Sequence, residues 1–62
     1  HVTYTVRFER VPGATREDAA DIAAEWARID EFRVLDTVDI WCTFDGWQVV
    51  LDVEPIRAEV TA

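Results

Sequence analysis

Residues 38–54 read VDIWCTFDGWQVVLDVE, and this stretch decides the fold. Apolar side chains occupy every second position on both sides of Asp45-Gly46, a periodicity typical of strands with one buried face. Asp-Gly favours a two-residue type I′ turn because both of its positions accept positive φ. The stretch therefore predicts a β-hairpin with strands at 37–44 and 47–54, in which Phe44 faces Trp47.

The preceding residues predict a strand followed by a helix. Residues 2–10 carry apolar side chains at positions 2, 4, 6 and 8, and Pro12-Gly13 ends this strand. Thr15 is a good N-cap, and an apolar stripe at helical spacing follows it, which predicts a helix over 15–29. Residues 55–62 are open to two interpretations, a short fourth strand after a bulge or the first turn of a helix.

The predicted element order is β-α-β-β in a single small acidic domain spanning residues 1–62. A right-handed crossover makes the first two strands parallel, and the third can then lie between them in the order 1-3-2, with 1-2-3 as the alternative. The expected fold class is α+β, a two-layer sandwich of one helix on a three-stranded, possibly four-stranded, mostly antiparallel sheet. In the order and length of its elements, the chain resembles half of a ferredoxin-like fold, and this likeness says nothing about activity.

The same periodicities predict the core. It is expected to contain Val2, Tyr4, Val6, Phe8, Ala19, Ile22, Ala23, Trp26, Ile29, Val38, Ile40, Cys42, Phe44, Trp47, Val49, Leu51 and Val53.

Composition excludes several functional classes. With 6 basic and 13 acidic side chains in 62 residues, the net charge is −7, so the domain repels nucleic-acid phosphates. The chain has no Lys and no Ser, which excludes a serine nucleophile, a Schiff-base lysine and a P-loop. No catalytic constellation or cofactor motif is present, and we expect a protein that is not an enzyme and uses no cofactor. The single Cys favours a reducing, cytoplasmic location, and the apolar runs are too short for a membrane span.

The negative charge is concentrated on the hairpin. Residues 1–11 sum to +1 and residues 14–33 to −3, whereas residues 36–54 carry five acids and no basic residue. In the predicted register Asp39 lies directly opposite Asp52, an unfavourable pair of like charges. Three explanations remain open: neutralisation by Arg7, a divalent-cation site completed by Asp36 or Glu54, and a catalytic carboxylate dyad.

Trp41 is predicted on the sheet face away from the helix, packed on Val50. Either residues 55–62 fold back over it, or another chain covers it, since Trp is enriched at interface hot spots. The candidate partner-binding residues are Trp41, Val50, Asp39, Asp52 and Gln48. The leading hypothesis is a small acidic non-enzymatic interaction module that binds a protein with a basic surface, or a second copy of itself. The alternatives are an acidic inhibitor that mimics DNA charge and a small-ligand or divalent-metal-binding domain; no direct nucleic-acid or membrane contact is expected.

Overall fold

A computed structural model, which describes residues 2–56, has one helix on a three-stranded antiparallel sheet. The elements are β1 (Tyr4–Val11), α1 (Arg16–Ile29), β2 (Phe32–Thr43) and β3 (Gly46–Pro55). The strand order is β1-β3-β2, and β3 is antiparallel to both neighbours. The α+β class and the order 1-3-2 are thus confirmed. The possible fourth strand was predicted within residues 55–62, and residues 57–62 lie outside the described part of the chain.

Local signals set both ends of α1. The hydroxyl of Thr15 accepts a hydrogen bond from the Asp18 N–H at 3.1 Å, which satisfies one of the free donors of the first turn. Asp30 is the C-cap of the helix, and the next residue, Glu31, takes a left-handed conformation with φ 68°. Its N–H donates to the Arg28 carbonyl at 2.8 Å, as is common where a chain leaves a helix.

Three alanines bring α1 close to the sheet. Ala19, Ala23 and Ala27 are fully buried, as are the three β3 side chains that share their core (Val49, Leu51 and Val53). Because the alanines recur every four residues along one line, Ile29 lies about 200° around the helix from Ala27. The prediction of Ile29 as core is therefore wrong, and it is 73% exposed.

β1 contains a bulge that the alternation did not reveal. Its register against β3 shifts between Phe8 and Val11, where Arg10 has φ 55°. The extra residue reverses the alternation, so Val11 turns inward and is fully buried. At the other end of the strand, Val2 and Tyr4 are 55% and 48% exposed, and their prediction as core is wrong. The helix contacts β1 through Trp26, which packs on Phe8 and not on this end of the strand.

β2 begins at Phe32, whereas the sequence placed the start of this strand at 37. Its register against β3 shifts twice, between Val34 and Asp36 and between Thr37 and Asp39. Each shift leaves one residue of β2 without a partner, and the second of these is Val38. An unpaired bulge residue need not follow the alternation, so Val38 is exposed and its prediction as core is wrong.

The hairpin turn lies one residue earlier than predicted. Thr43 pairs with Gly46, which leaves Phe44 and Asp45 in the turn. Gly46 instead begins β3 with φ 142°, where a Cβ would stand only 2.9 Å from Arg10 Cα. The close approach of β1 thus requires glycine at this position.

Two further core predictions fail near this turn. Phe44 is in the turn itself and is fully exposed. Cys42 is exposed on the outer strand, while its partner Trp47 reaches toward the start of the helix and donates from Nε1 to the Gly13 carbonyl at 3.0 Å.

Candidate interaction surface

The sheet face opposite α1, here called the open face, is assembled by the strand register. Residues directly opposite one another in antiparallel strands point to the same face, so the pairs of β3 with its neighbours define the surface. It comprises Thr5 and Arg7 of β1, Arg33, Asp36, Asp39 and Trp41 of β2, and Gln48, Val50, Asp52 and Glu54 of β3. Within residues 2–56 the helix packs on the other face, so none of the described elements covers this one.

All five candidate residues lie on the open face, but in a different register from the one predicted. Trp41 is opposite Gln48, and Asp39 is opposite Val50. The predicted pairs Trp41–Val50 and Asp39–Asp52 are wrong, because the turn is one residue earlier and the pairing runs without a shift from Thr43 to Asp39. The five side chains remain on one surface because the earlier turn shifts the register by an even number of positions.

A pair of opposed carboxylates does occur, with a different member. Asp52 is opposite Asp36, and its Oδ1 accepts a hydrogen bond from the Thr5 hydroxyl at 2.8 Å. The predicted neutralisation by Arg7 is wrong, because Arg7 lies opposite Val50 and its Nε is 3.9 Å from Glu9 Oε2. The Thr5 hydroxyl therefore stabilises Asp52, one member of the like-charge pair. Among the described residues, neither Asp36 nor Asp52 forms an ion pair.

One end of the open face is neutral and the middle is negative. Arg33 Nε donates to Glu54 Oε2 at 2.7 Å, and the Glu54 side chain is only 19% exposed. Asp39 accepts from the Ile40 N–H at 2.9 Å, a local contact that leaves its charge uncompensated. The uncompensated acids are thus Asp36, Asp39 and Asp52. Asp39 is two rungs from Trp41, and Asp36 and Asp52 share the rung that is four away.

Sequence reasoning missed the polar network at the turn. The Thr43 hydroxyl lies 2.8 Å from both Asp45 Oδ1 and the Gly46 carbonyl, and Arg10 Nε lies 3.3 Å from Asp45 Oδ2. The Thr43 hydrogen bond, with a smaller contribution from Arg10, holds the pKa of Asp45 below its ordinary value. No sequence signal pointed to this network, because it depends on the position of the turn and on the bulge in β1.

A shallow groove of about 380 Å³ lies between α1 and β2, away from the open face. It is lined by Ala24, Arg28, Arg33, Val34 and Ile56. Among residues 2–56, no three or more His, Cys, Asp or Glu side chains come together as metal ligands. The helix in that same part of the chain is not long and apolar enough to cross a membrane.

Comparison of the chain with protein-family models, with curated proteins and with solved structures finds no match. The functional interpretation therefore rests on the surface chemistry described above.

Proposed function

We propose that this chain is a small, non-enzymatic protein-interaction module whose open face binds a partner protein with a basic surface. The observation that carries the proposal is a Trp side chain, 37% exposed, on a sheet face that no element of residues 2–56 covers, with three uncompensated carboxylates on the same face. An aromatic anchor with acids on the same face is typical of a binding patch, in which the aromatic supplies contact area and the charges select the partner.

The charge on the open face favours a foreign partner over a second copy there. Asp36, Asp39 and Asp52 carry no ion pair within residues 2–56, and the hairpin segment 36–54 has no basic residue at all. Two copies stacked through this face would bring these acids together, at the cost of like-charge repulsion. A surface rich in Arg and Lys would be attracted instead, with fast association at low salt.

The non-enzymatic part of the proposal is supported by where the carboxylates lie. Asp36 and Asp52 are opposed on the open face, where no element of residues 2–56 covers them, and the described groove lies between α1 and β2 instead. Cys42 is exposed and free, and the sequence offers no His beyond His1 to activate it. The DNA-mimicking inhibitor and the small-ligand or metal-binding domain stay predictions from the sequence.

The experiment is a titration of the ¹⁵N-labelled chain with a synthetic peptide of alternating Arg and Val, followed by NMR. We expect the indole N–H of Trp41 and the backbone amides of Val50 and Asp52 to shift together, and the affinity to fall as salt is raised. Trp41→Ala should weaken binding by about tenfold or more, which is the loss of about 1.4 kcal/mol or more expected of a central aromatic.

Phe44→Ala is the matched control, because Phe44 is also an exposed aromatic on the hairpin but lies in the turn, outside the open face. It should leave the affinity unchanged. Equal losses in the two variants, or shifts confined to residues of α1, would contradict the proposal.

A further inference from the structure

The outer edge of β1 is the least protected sheet edge in the described chain. From Tyr4 to Phe8 its pairing with β3 is regular, without a bulge or proline, and the first acid of the chain is Glu9. β2, the other edge strand, is interrupted by two bulges and carries Asp36 and Asp39. Bulges, prolines and charges are the devices that keep edge strands from pairing with other chains, and over these five residues β1 has only one of them, the charge of Arg7.

The backbone groups that face outward can be deduced from the hairpin. Thr43 and Gly46 flank a two-residue turn, which makes them a hydrogen-bonded pair, and successive rungs then alternate. The Ile40 N–H, which bonds to the Asp39 side chain, fits this alternation, because it belongs to a rung without ladder hydrogen bonds. It follows that the even residues of β3 bond to β2 and the odd ones to β1.

Applied to β1, this alternation directs the N–H and C=O groups of Val6 toward Leu51 of β3 and those of Thr5 and Arg7 away from the sheet. Thr5 and Arg7 thus offer four backbone hydrogen-bonding groups to a further strand.

The side chains of β1 on the helix side also lack full cover. Val6 and Phe8 are only half-buried, and Val2 and Tyr4 are exposed. These four apolar side chains form one row along the edge, next to the fully buried β3 side chains. A strand added to β1 would cover them if it brought its own apolar row to the same side.

We infer that β1 pairs antiparallel with β1 of a second copy, with Val6 opposite its symmetry mate, to form a six-stranded sheet. This register is the one that pairs all five regular residues, Tyr4 to Phe8. The two-fold axis is perpendicular to the sheet, so both apolar rows lie on the same side and Tyr4 meets Phe8 of the other copy. Cross-strand aromatic pairs are among the favourable ones.

Arg7 offers a second copy a favourable charge contact across this edge, which argues for a second copy as the occupant. In this register Arg7 of one copy is opposite Thr5 of the other, in the same row as the opposed carboxylates Asp52 and Asp36. Its Cα would lie about 10 Å from that of Asp52, two strand spacings, within reach of an extended Arg side chain. The pairing also joins the two copies at their slightly basic segments, residues 1–11, and keeps the acidic hairpins apart.

Analytical ultracentrifugation of the full chain from about 5 to about 500 µM tests the dimer, since a small interface of this kind dissociates in that range. We expect the sedimentation coefficient to rise with concentration. Arg7→Pro removes an outward N–H and should weaken the dimer at least about tenfold relative to Arg7→Gln, which makes the same charge change and keeps the N–H. A monomer at every concentration, or a dimer equally stable in both variants, would overturn the inference.

Disulfide trapping tests the register and does not depend on Arg7→Pro being folded. In a Cys42→Ser background, Val6→Cys should form a covalent dimer on oxidation, because residues opposed in a rung without hydrogen bonds have the Cα separation a disulfide needs. Leu35→Cys, on the outer strand β2 and more exposed, is the control. Trapping through Leu35→Cys but not through Val6→Cys would overturn the inference.

Salt separates this dimer from the proposed partner binding. Since each copy carries −7, added salt should strengthen dimerisation, whereas it should weaken the binding of a basic probe to the open face.

Discussion

The substitution Ala23→Leu tests how closely α1 lies on the sheet. Ala23 is fully buried in a core that also contains the central strand's Leu51 and Val49. Three added carbons have no free space there and must push the helix outward, which costs about 1–3 kcal/mol. One small core supplies about 3–5 kcal/mol in total, so this single change should remove about half of the free energy of unfolding.

Ala24→Leu is the matched control, because it makes the same chemical change one residue further along the helix. Ala24 lines the groove of about 380 Å³ beside Arg28 and Ile56, so an isobutyl group there has room and gains contacts. Its effect should lie between zero and about 1 kcal/mol of stabilisation. The two variants should therefore differ by about 1–4 kcal/mol. Their midpoint temperatures should differ by about 4–32 °C, given about 4–8 °C per kcal/mol in a domain of this size.

Urea denaturation followed by far-ultraviolet circular dichroism gives the free energy of unfolding of both variants. An unchanged slope of that free energy against urea concentration would show that the compactness of the folded and unfolded states is preserved. Equal destabilisation by the two substitutions, or an Ala23→Leu variant within about 0.5 kcal/mol of the parent chain, would refute the close alanine packing.

Three further predictions concern the backbone irregularities and the turn. Glu31→Gly should be more stable than Glu31→Ala by about 1 kcal/mol in urea denaturation, because both remove the side chain but only glycine accepts φ 68° without strain. Deletion of Val38 should leave every other β2–β3 pair unchanged in NMR cross-strand contacts, whereas an inversion of residues 32–37 between faces would contradict the assigned bulge. Thr43→Val should raise the pKa of Asp45 toward its ordinary value of 3.8, measured by NMR titration. Since that pKa is lowered in the folded chain, the associated stability is present at neutral pH and is lost as pH falls through the folded-state pKa, a loss that Thr43→Val should diminish.

The architecture was predictable because it depends on local patterns in the sequence. Period-two alternation, a capped amphipathic stripe and an Asp-Gly turn signal each depend on neighbouring residues. Together with crossover handedness they favoured the order β1-β3-β2, with 1-2-3 as the alternative. The buried residues of the central strand followed directly, because β3 alternates without interruption from Trp47 to Val53.

The register was not predictable, because each error arose from a contact distant in the chain. Gly46 was assigned to the turn on the basis of Asp45-Gly46 alone, whereas the structure uses it for the close approach of Arg10. The bulges at Val38 and in β1 depend on how the three strands twist and pack together. The periodicity of a single strand therefore does not reveal them. The candidate residues still share one surface, because each keeps its predicted face of the sheet although its cross-strand partner differs from the predicted one.

The two exposed parts of the sheet have opposite chemistry, and this difference argues for a division of roles. The open face combines Trp41 with acids that repel a second copy, whereas the edge of β1 combines apolar side chains with Arg7 and no acid before Glu9. A 62-residue chain with so few fully buried side chains gains from added apolar burial, and an edge-to-edge dimer would supply it without covering Trp41. The dimer would then present two open faces on the same side of one continuous sheet, so a basic partner with two matching patches would bind through both at once and gain affinity without any new kind of contact.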